Sequence, residues 1–193
     1  PLVNLSNFKP AYHTAVLLKE AVDALQVKAD GIYVDCTFGG GGHSREILNR
    51  LGKNGVLIAF DQDEDARRNL PDDDRIIFVP QNFRHLQRFL RLHKYPQADG
   101  ILADLGVSSH QFDEAERGFS TRFDAALDMR MDSRAGTTAA TVLRDYPELQ
   151  LHKLFEKYGE VTNAKTLART IVEQRNIAAL NTISRFKQAV QQI

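Results

Sequence analysis

Apolar residues follow two alternating rhythms along this chain. Four short unbroken runs, GIYVDC (31–36), GVLIAFD (55–61), RIIFV (75–79) and DGILADLG (99–106), read as buried strands at 32–36, 56–61, 76–79 and 100–104. Between them the spacing turns helical, in HSREILNRLG (43–52) with Gly52 as its C-cap, EDARRNL (64–70) and FRHLQRFLRLHKY (83–95). Ahead of the first strand, AYHTAVLLKEAVDAL carries an apolar stripe of Val16, Leu17, Ala21, Val22 and Leu25, with Thr14 as N-cap. Strands alternating with helices of this length predict βαβ units and a parallel sheet. The alternation stops near residue 107. Residues 108–136 read as a long loop rich in Ser, Asp, Arg and Gly, and 138–193 as helices without strands. The expected layout is an α/β core over 1–110 and a loop with a helical extension over 111–193.

Within this pattern the stretch VDCTFGGGGHSREIL stands out, because four successive glycines join a strand to a helix. Such a turn lets a ligand touch the main chain and the positive end of the helix. A phosphate-cradling loop needs a lysine after the glycines, and none follows. A dinucleotide fingerprint needs a third glycine or alanine where this chain has Ser44 or Arg45. An S-adenosylmethionine site needs an acid at the strand end followed by glycines, and Asp35 with Gly39, Gly41 and Gly42 supplies that; a purely structural turn is the plain alternative. The next strand ends in Asp61, 22 residues beyond Gly39, the separation at which a carboxylate bonds a ribose diol. Phe83 suits stacking on adenine, or a place on a helix's core face. Asp104 ends a strand that is otherwise apolar, at the sheet edge where ligands bind in open α/β folds.

Composition narrows the partners. The 193 residues are 42% hydrophobic and 26% charged, with 25 basic and 25 acidic side chains, so any nucleic acid or membrane must be met by a local patch. One cysteine, Cys36, fits a reducing compartment, and with no signal-like start and no long apolar run the chain reads as cytoplasmic. No metal-ligand pattern is present in the sequence. Arg117, Arg122, Arg130 and Arg134 are interleaved with Phe112, Phe119 and Phe123 in the loop, a mixture suited to phosphate contact and base stacking or to a loop that folds back on the core. Residues 165–193 carry five basic side chains and one acid. Arg84, Arg88 and Arg91 read as a solvated helix face.

Taken in order, DCTFGGGGHS, AFDQD, DGILADLGVSS, QFDEAERGFS and LDMRMD resemble the bacterial 16S ribosomal RNA cytosine-N4 methyltransferases. The resemblance implies a Rossmann-like, S-adenosylmethionine-dependent methyltransferase core, a parallel sheet with helices on both faces, plus a helical insert domain. It implies S-adenosylmethionine as donor, and as acceptor a cytidine in the decoding region of small-subunit rRNA. Carried over by position, the cofactor contacts are Gly41, Gly42, His43, Asp61, Phe83, Asp104 and Gln111, although a first-turn histidine is often only a helix-start residue. Asp104, helped by Ser108 and Ser109, is placed to accept N–H bonds from the cytosine amine, with a donor-binding role as its rival. The four loop arginines are the RNA-contact candidates.

Two departures carry expectations. Ala125 and Ala126 stand where the family usually has Gly-Pro. Later core strands are missing from the sequence, so the chain reads as truncated, weak or inactive as a catalyst, and prone to self-association through an open sheet edge. A non-catalytic nucleotide- or RNA-binding module is the rival of a different class. A nicotinamide-dependent oxidoreductase stands further off, since Ser44 and Arg45 break its fingerprint.

Overall fold

The computed structural model describes residues 15–191 and 193, which fall into two units divided between Ser108 and Ser109. The expected N-cap Thr14 lies outside the described residues. In the first unit, helix α1 (Leu18–Ala24) precedes β1 (Ile32–Asp35), α2 (Gly42–Arg50), β2 (Val56–Phe60), a 3-10 segment (Glu64–Asn69) and β3 (Ile76–Val79). A 3-10 turn (Phe83–His85), α3 (Leu86–Leu92) and β4 (Gly100–Leu102) follow. The four strands form one parallel sheet in the order β3-β2-β1-β4, so the α/β, Rossmann-like class is as the pattern predicts.

Register explains which residues are buried. Tyr33 pairs with Leu57 and Gly100, and this row packs with Val22, Ile47, Leu48, Leu51 and Leu102 under α1 and α2. The next row, Val34 with Ile58 and Ile101, points the other way, where Val34 and Ile58 join Cys36, Phe60, Val79 and Leu90 of α3. A sheet covered on both faces needs near-continuous apolar strands, which is what the four runs supply. Burial in that second layer pushes the Cys36 thiol up to about 11, so it is an inert packing group at neutral pH. At the outer strand the covering stops, and Ile101 is 54% exposed.

Several boundaries differ from the sequence pattern. Val16 and Leu17 lie ahead of α1 and are 70% and 66% exposed, so the stripe meets the core through buried Val22, with Ala21 and Leu25 packed beside it. Helix α2 ends on an extended Leu51, and Gly52 is not its C-cap. A Cβ at Gly52 would stand 3.2 Å from that of Ala29, which is the reason for the glycine. The 64–70 segment is 3-10 rather than α, started by Asp63 accepting from the Asp65 N–H at 3.2 Å.

The second unit holds α4 (Ser109–Asp113), a 3-10 turn (Ala115–Arg117), α5 (Ala139–Asp145), α6 (Glu148–Gly159), α7 (Ala164–Arg175) and α8 (Ile183–Val190). The reading of 108–136 as plain loop misses α4 and that turn. Leu127, Leu143, Leu151, Ala168, Ile171, Leu180 and Ile183 make its core. Ala125 and Ala126, the departure from the family pattern, lie beside α8: the Ala125 carbonyl accepts from Ile183 N at 3.0 Å and Ala126 bridges to Thr182. Gly118 (φ +72°) sits so close to this segment that a Cβ would fall 2.5 Å from the Ala126 carbonyl oxygen. The AERGFS and LDMRMD stretches are therefore one packed loop.

Leu57→Ala empties space at the centre of the first core and is expected to lower unfolding free energy by about 2–5 kcal/mol in urea titration. Val16→Ser, by contrast, changes it by less than about 0.5 kcal/mol.

Candidate functional site

Strand order places the site. From β1 the chain crosses to β2 on one side and later returns to β4 on the other, which opens a crevice beyond the carboxyl ends of β1 and β4. The glycine turn leaves β1 there, Asp61 follows β2, and Asp104 follows β4.

Asp35, the last residue of β1, does not face that crevice. It is fully buried, accepting from Ser44 Oγ at 2.7 Å on one carboxylate oxygen and from Thr37 N at 3.0 Å on the other. Burial raises its pKa, and the bonds from Ser44 and Thr37 oppose that shift. Sequence reasoning took this acid as part of a ligand pattern. The structure makes it the post to which the turn and the start of α2 are tied.

The turn itself is wired from both sides. Gly39 N donates to Asp61 Oδ2 at 2.7 Å, the Gly39 carbonyl accepts from Asn69 Nδ2 at 3.0 Å, and the Gly40 carbonyl accepts from Arg45 Nη1 at 2.7 Å. Arg45 also reaches the Asn69 carbonyl at 2.9 Å. Gly39 and Gly41 have positive φ, +48° and +75°, which a side chain would strain. Among the described residues a Cβ at Gly39 would meet nothing nearer than the Thr37 carbonyl oxygen at 3.9 Å, so its Cα faces open space there. Gly41 and Gly42 instead have close neighbours: a Cβ would lie 3.0 Å from the Phe38 ring at Gly41 and 2.9 Å from Ala15 Cβ at Gly42. His43 is buried, with Nε2 3.1 Å from the Val16 carbonyl oxygen. That nitrogen is the protonated one, because a carbonyl can only accept. Asn69 and Arg45 carried no signal in the sequence, because they hold the turn from outside the motif.

Asp61 accepts from Gly39 N and, at 2.8 Å, from Asp63 N. Burial raises its pKa as well, against those two bonds. Asn82 joins the loops after β2 and β3 by donating to Gln62 Oε1 at 2.9 Å, and it sets up the turn that leaves the Phe83 ring 38% exposed. Asp104 is exposed, and its carboxylate has no hydrogen-bond or ion-pair partner among the described residues, while its N–H donates to Thr37 Oγ1 at 2.8 Å. Ser108 ends the first unit, Ser109 opens α4, and Gln111 lies on α4 in the second unit, buried. Among the described residues no group of acids, histidines and cysteine is arranged to hold a metal.

The loop arginines are engaged locally. Arg130 forks onto Asp128 at 2.8 and 2.6 Å and reaches the Ala135 carbonyl at 2.6 Å; Arg134 forks onto Asp132 at 2.8 and 3.1 Å. Arg117 donates to the Arg130 carbonyl at 2.9 Å, and Arg122 donates to Asp113 at 2.7 Å while lying over the Phe123 ring. These bonds close the loop on itself.

Asp35→Ala leaves the Ser44 hydroxyl and the Thr37 N–H unpaired in the interior. A loss of about 2–4 kcal/mol in urea unfolding is expected; a loss below about 1 kcal/mol would show that the post is dispensable.

The chain matches the model of the MraW methylase family over residues 10–193. It is 57% identical over 179 residues to the ribosomal RNA small subunit methyltransferase H of Bacteroides thetaiotaomicron, covering 93% of this chain and 59% of that protein. The protein of the same name from Flavobacterium johnsoniae is likewise 57% identical over 179 residues, with the same coverage, and that from Christiangramia forsetii is 60% identical over 164 residues, 85% of this chain and 54% of that one. The chain thus spans about three fifths or less of the length of these relatives. The matched span takes in the glycine turn, the Asp104 strand end and the packed loop, and the chain belongs to the MraW methylase family.

Proposed function

We propose that the crevice beyond β1, β2 and β4 holds S-adenosylmethionine, and that the protein uses it to methylate small-subunit ribosomal RNA at the exocyclic N4 of a cytidine in the decoding region. The reading is carried by the Gly39–Asp61 contact: a turn that meets no side chain at Gly39 among the described residues, bonded directly to a carboxylate at the adjoining strand tip. The relatives' names support RNA of the small subunit as substrate, and the motif series of the sequence supports the cytosine nitrogen.

The residues present fit such a donor. An open glycine face admits an adenosyl group, a desolvated Asp61 accepts from ribose hydroxyls, an exposed Phe83 ring offers a stacking surface, and an Asp104 carboxylate without a partner among the described residues suits a cationic ligand. Gly41, Gly42 and His43 shape the turn against which it lies. S-adenosylmethionine supplies a methyl group already activated by its sulfonium, so the protein need provide neither a metal nor a nucleophile of its own. What these residues contribute is placement. The lone pair of the cytosine amine is delocalised into the ring. Asp104, with Ser108 and Ser109 next in the chain, accepts its N–H bonds, concentrates the lone pair on nitrogen and receives the proton that must leave.

The target base must be unstacked to reach such a crevice. Because Arg117, Arg122, Arg130 and Arg134 already bond within the loop, their part in RNA binding is to hold its shape. Attraction for phosphate falls to exposed Lys165 and Arg169 of α7 and Lys187 of α8, which have no carboxylate partner among the described residues.

Calorimetry with S-adenosylhomocysteine tests the donor site, and labelled methyl transfer to small-subunit RNA, followed by nucleoside analysis for N4-methylcytidine, tests the reaction. Binding without transfer would favour a non-catalytic module; no binding would remove the reading. Asp104→Asn separates two roles: unchanged affinity with lost turnover assigns it to chemistry, and lost affinity assigns it to the donor. Asp61→Asn is expected to weaken donor binding about 10- to 100-fold. The native Asp61 takes up its proton above the ordinary aspartate range, because burial favours the neutral form. Affinity therefore falls as pH drops through that range, and Asp61→Asn abolishes this dependence.

A further inference from the structure

We infer that Thr37 is the positioning residue for Asp104, and that it acts by extending the β1–β4 ladder one step beyond where backbone pairing ends. The inference rests on the proposal that Asp104 meets the donor. Pairing of β1 with β4 runs through Asp35 opposite Leu102, and Cys36 N donating to the Leu102 carbonyl at 2.8 Å is the last backbone bond of that edge. Past it the two chains part, one into the glycine turn and the other into an exposed stretch, Ala103 to Gly106. The Asp104 N–H would there have no strand partner. Thr37 Oγ1 takes the place of the missing carbonyl, at 2.8 Å.

Thr37 is itself fixed. Its N–H donates to Asp35 Oδ1 at 3.0 Å, and its hydroxyl, accepting from Asp104, directs its own hydrogen toward the same oxygen at 3.5 Å. The second Asp35 oxygen holds Ser44 in the first turn of α2. A buried carboxylate thus sets the hydroxyl that sets Asp104. Two residues past Thr37, Gly39 is held by Asp61. Through Thr37 and Gly39 the ends of β1, β2 and β4 become one hydrogen-bonded frame. The Asp104 side chain has no protein partner among the described residues, so its backbone is what decides where the carboxylate stands. Valine keeps the shape of Thr37 and removes the acceptor, whereas serine keeps the acceptor.

Thr37→Val is expected to weaken S-adenosylhomocysteine binding about 5- to 10-fold, and Thr37→Ser to restore it within about 2-fold. A purely structural role would lower thermal stability in Thr37→Val and leave S-adenosylhomocysteine affinity unchanged. Amide hydrogen exchange at Asp104 reads the clamp without any ligand, and it should quicken in Thr37→Val and stay protected in Thr37→Ser. Unchanged exchange at Asp104 in Thr37→Val overturns the clamp. Quickened exchange with unchanged affinity overturns the positioning role while leaving the donor site standing. Failure of the unaltered chain to bind overturns the donor reading, and the positioning role falls with it.

Discussion

A carboxylate cut off from water must be satisfied by its neighbours, and at Asp35 those neighbours are the two elements that any ligand in this crevice has to meet. The Ser44 hydroxyl and the Thr37 N–H converge on it from α2 and from the glycine turn. Removing charge from water is costly, and hydrogen bonds to the charged form offset that cost only while their geometry holds. The group therefore resists displacement of either element. A glycine-rich turn left to itself would be an ensemble, since glycine loses more backbone freedom on ordering than any other residue. Here its order is imposed from below by Asp35, from the side by Asp61, and from outside by Asn69 and Arg45.

This wiring changes what the glycines are for. In a phosphate-cradling loop the backbone N–H groups point at the ligand. In this turn the Gly39 N–H is used by Asp61 and the Gly41 N–H by the Phe38 carbonyl, at 2.7 Å. With those two N–H groups engaged, a ligand meets bare Cα surface at Gly39 and the carboxylates around it. That suits a group recognised by shape, hydroxyls and positive charge better than one recognised by phosphate. The site is thus a surface of close approach, ringed by acids at the tips of β2 and β4.

Much of the first unit was legible because its signals are redundant. Each strand is an apolar run too short for a helix, each is flanked by turn residues, and burial on both faces leaves no polar alternation to confuse them. Boundaries were less legible where tertiary packing overrides local preference. Gly52 looks like a C-cap and is instead a contact with Ala29, and Val16 and Leu17 fit a helical stripe but precede the helix. The acids were legible by position and not by role. Asp35 ends its strand and Asp61 and Asp104 follow theirs, yet one is buried, one bonds two backbone N–H groups and one is exposed. Only the fold distinguishes them, because the difference lies in what stands opposite each carboxylate.

The loop arginines show the same limit from the side of charge. A sequence displays the number of guanidinium groups but not whether each has already met a carboxylate. Asp128 and Asp132 lie two residues before Arg130 and Arg134, a spacing that reads as alternating charge and that the structure closes into forked pairs. A forked pair is locally neutral, so it contributes little to long-range attraction for a polyanion, and drawing its arginine to a phosphate would strand the aspartate. Spending these residues on the loop has a structural consequence. The Arg117 carbonyl accepts from Met129 N at 3.0 Å and its guanidinium reaches the Arg130 carbonyl, so the two motif stretches meet through main chain as well as side chain. With Gly118 pressed against Ala126 between them, no larger residue fits. Backbone packing inside the helical unit thus accounts for Gly118 and for the joining of the two stretches, whether or not an arginine there ever touches RNA.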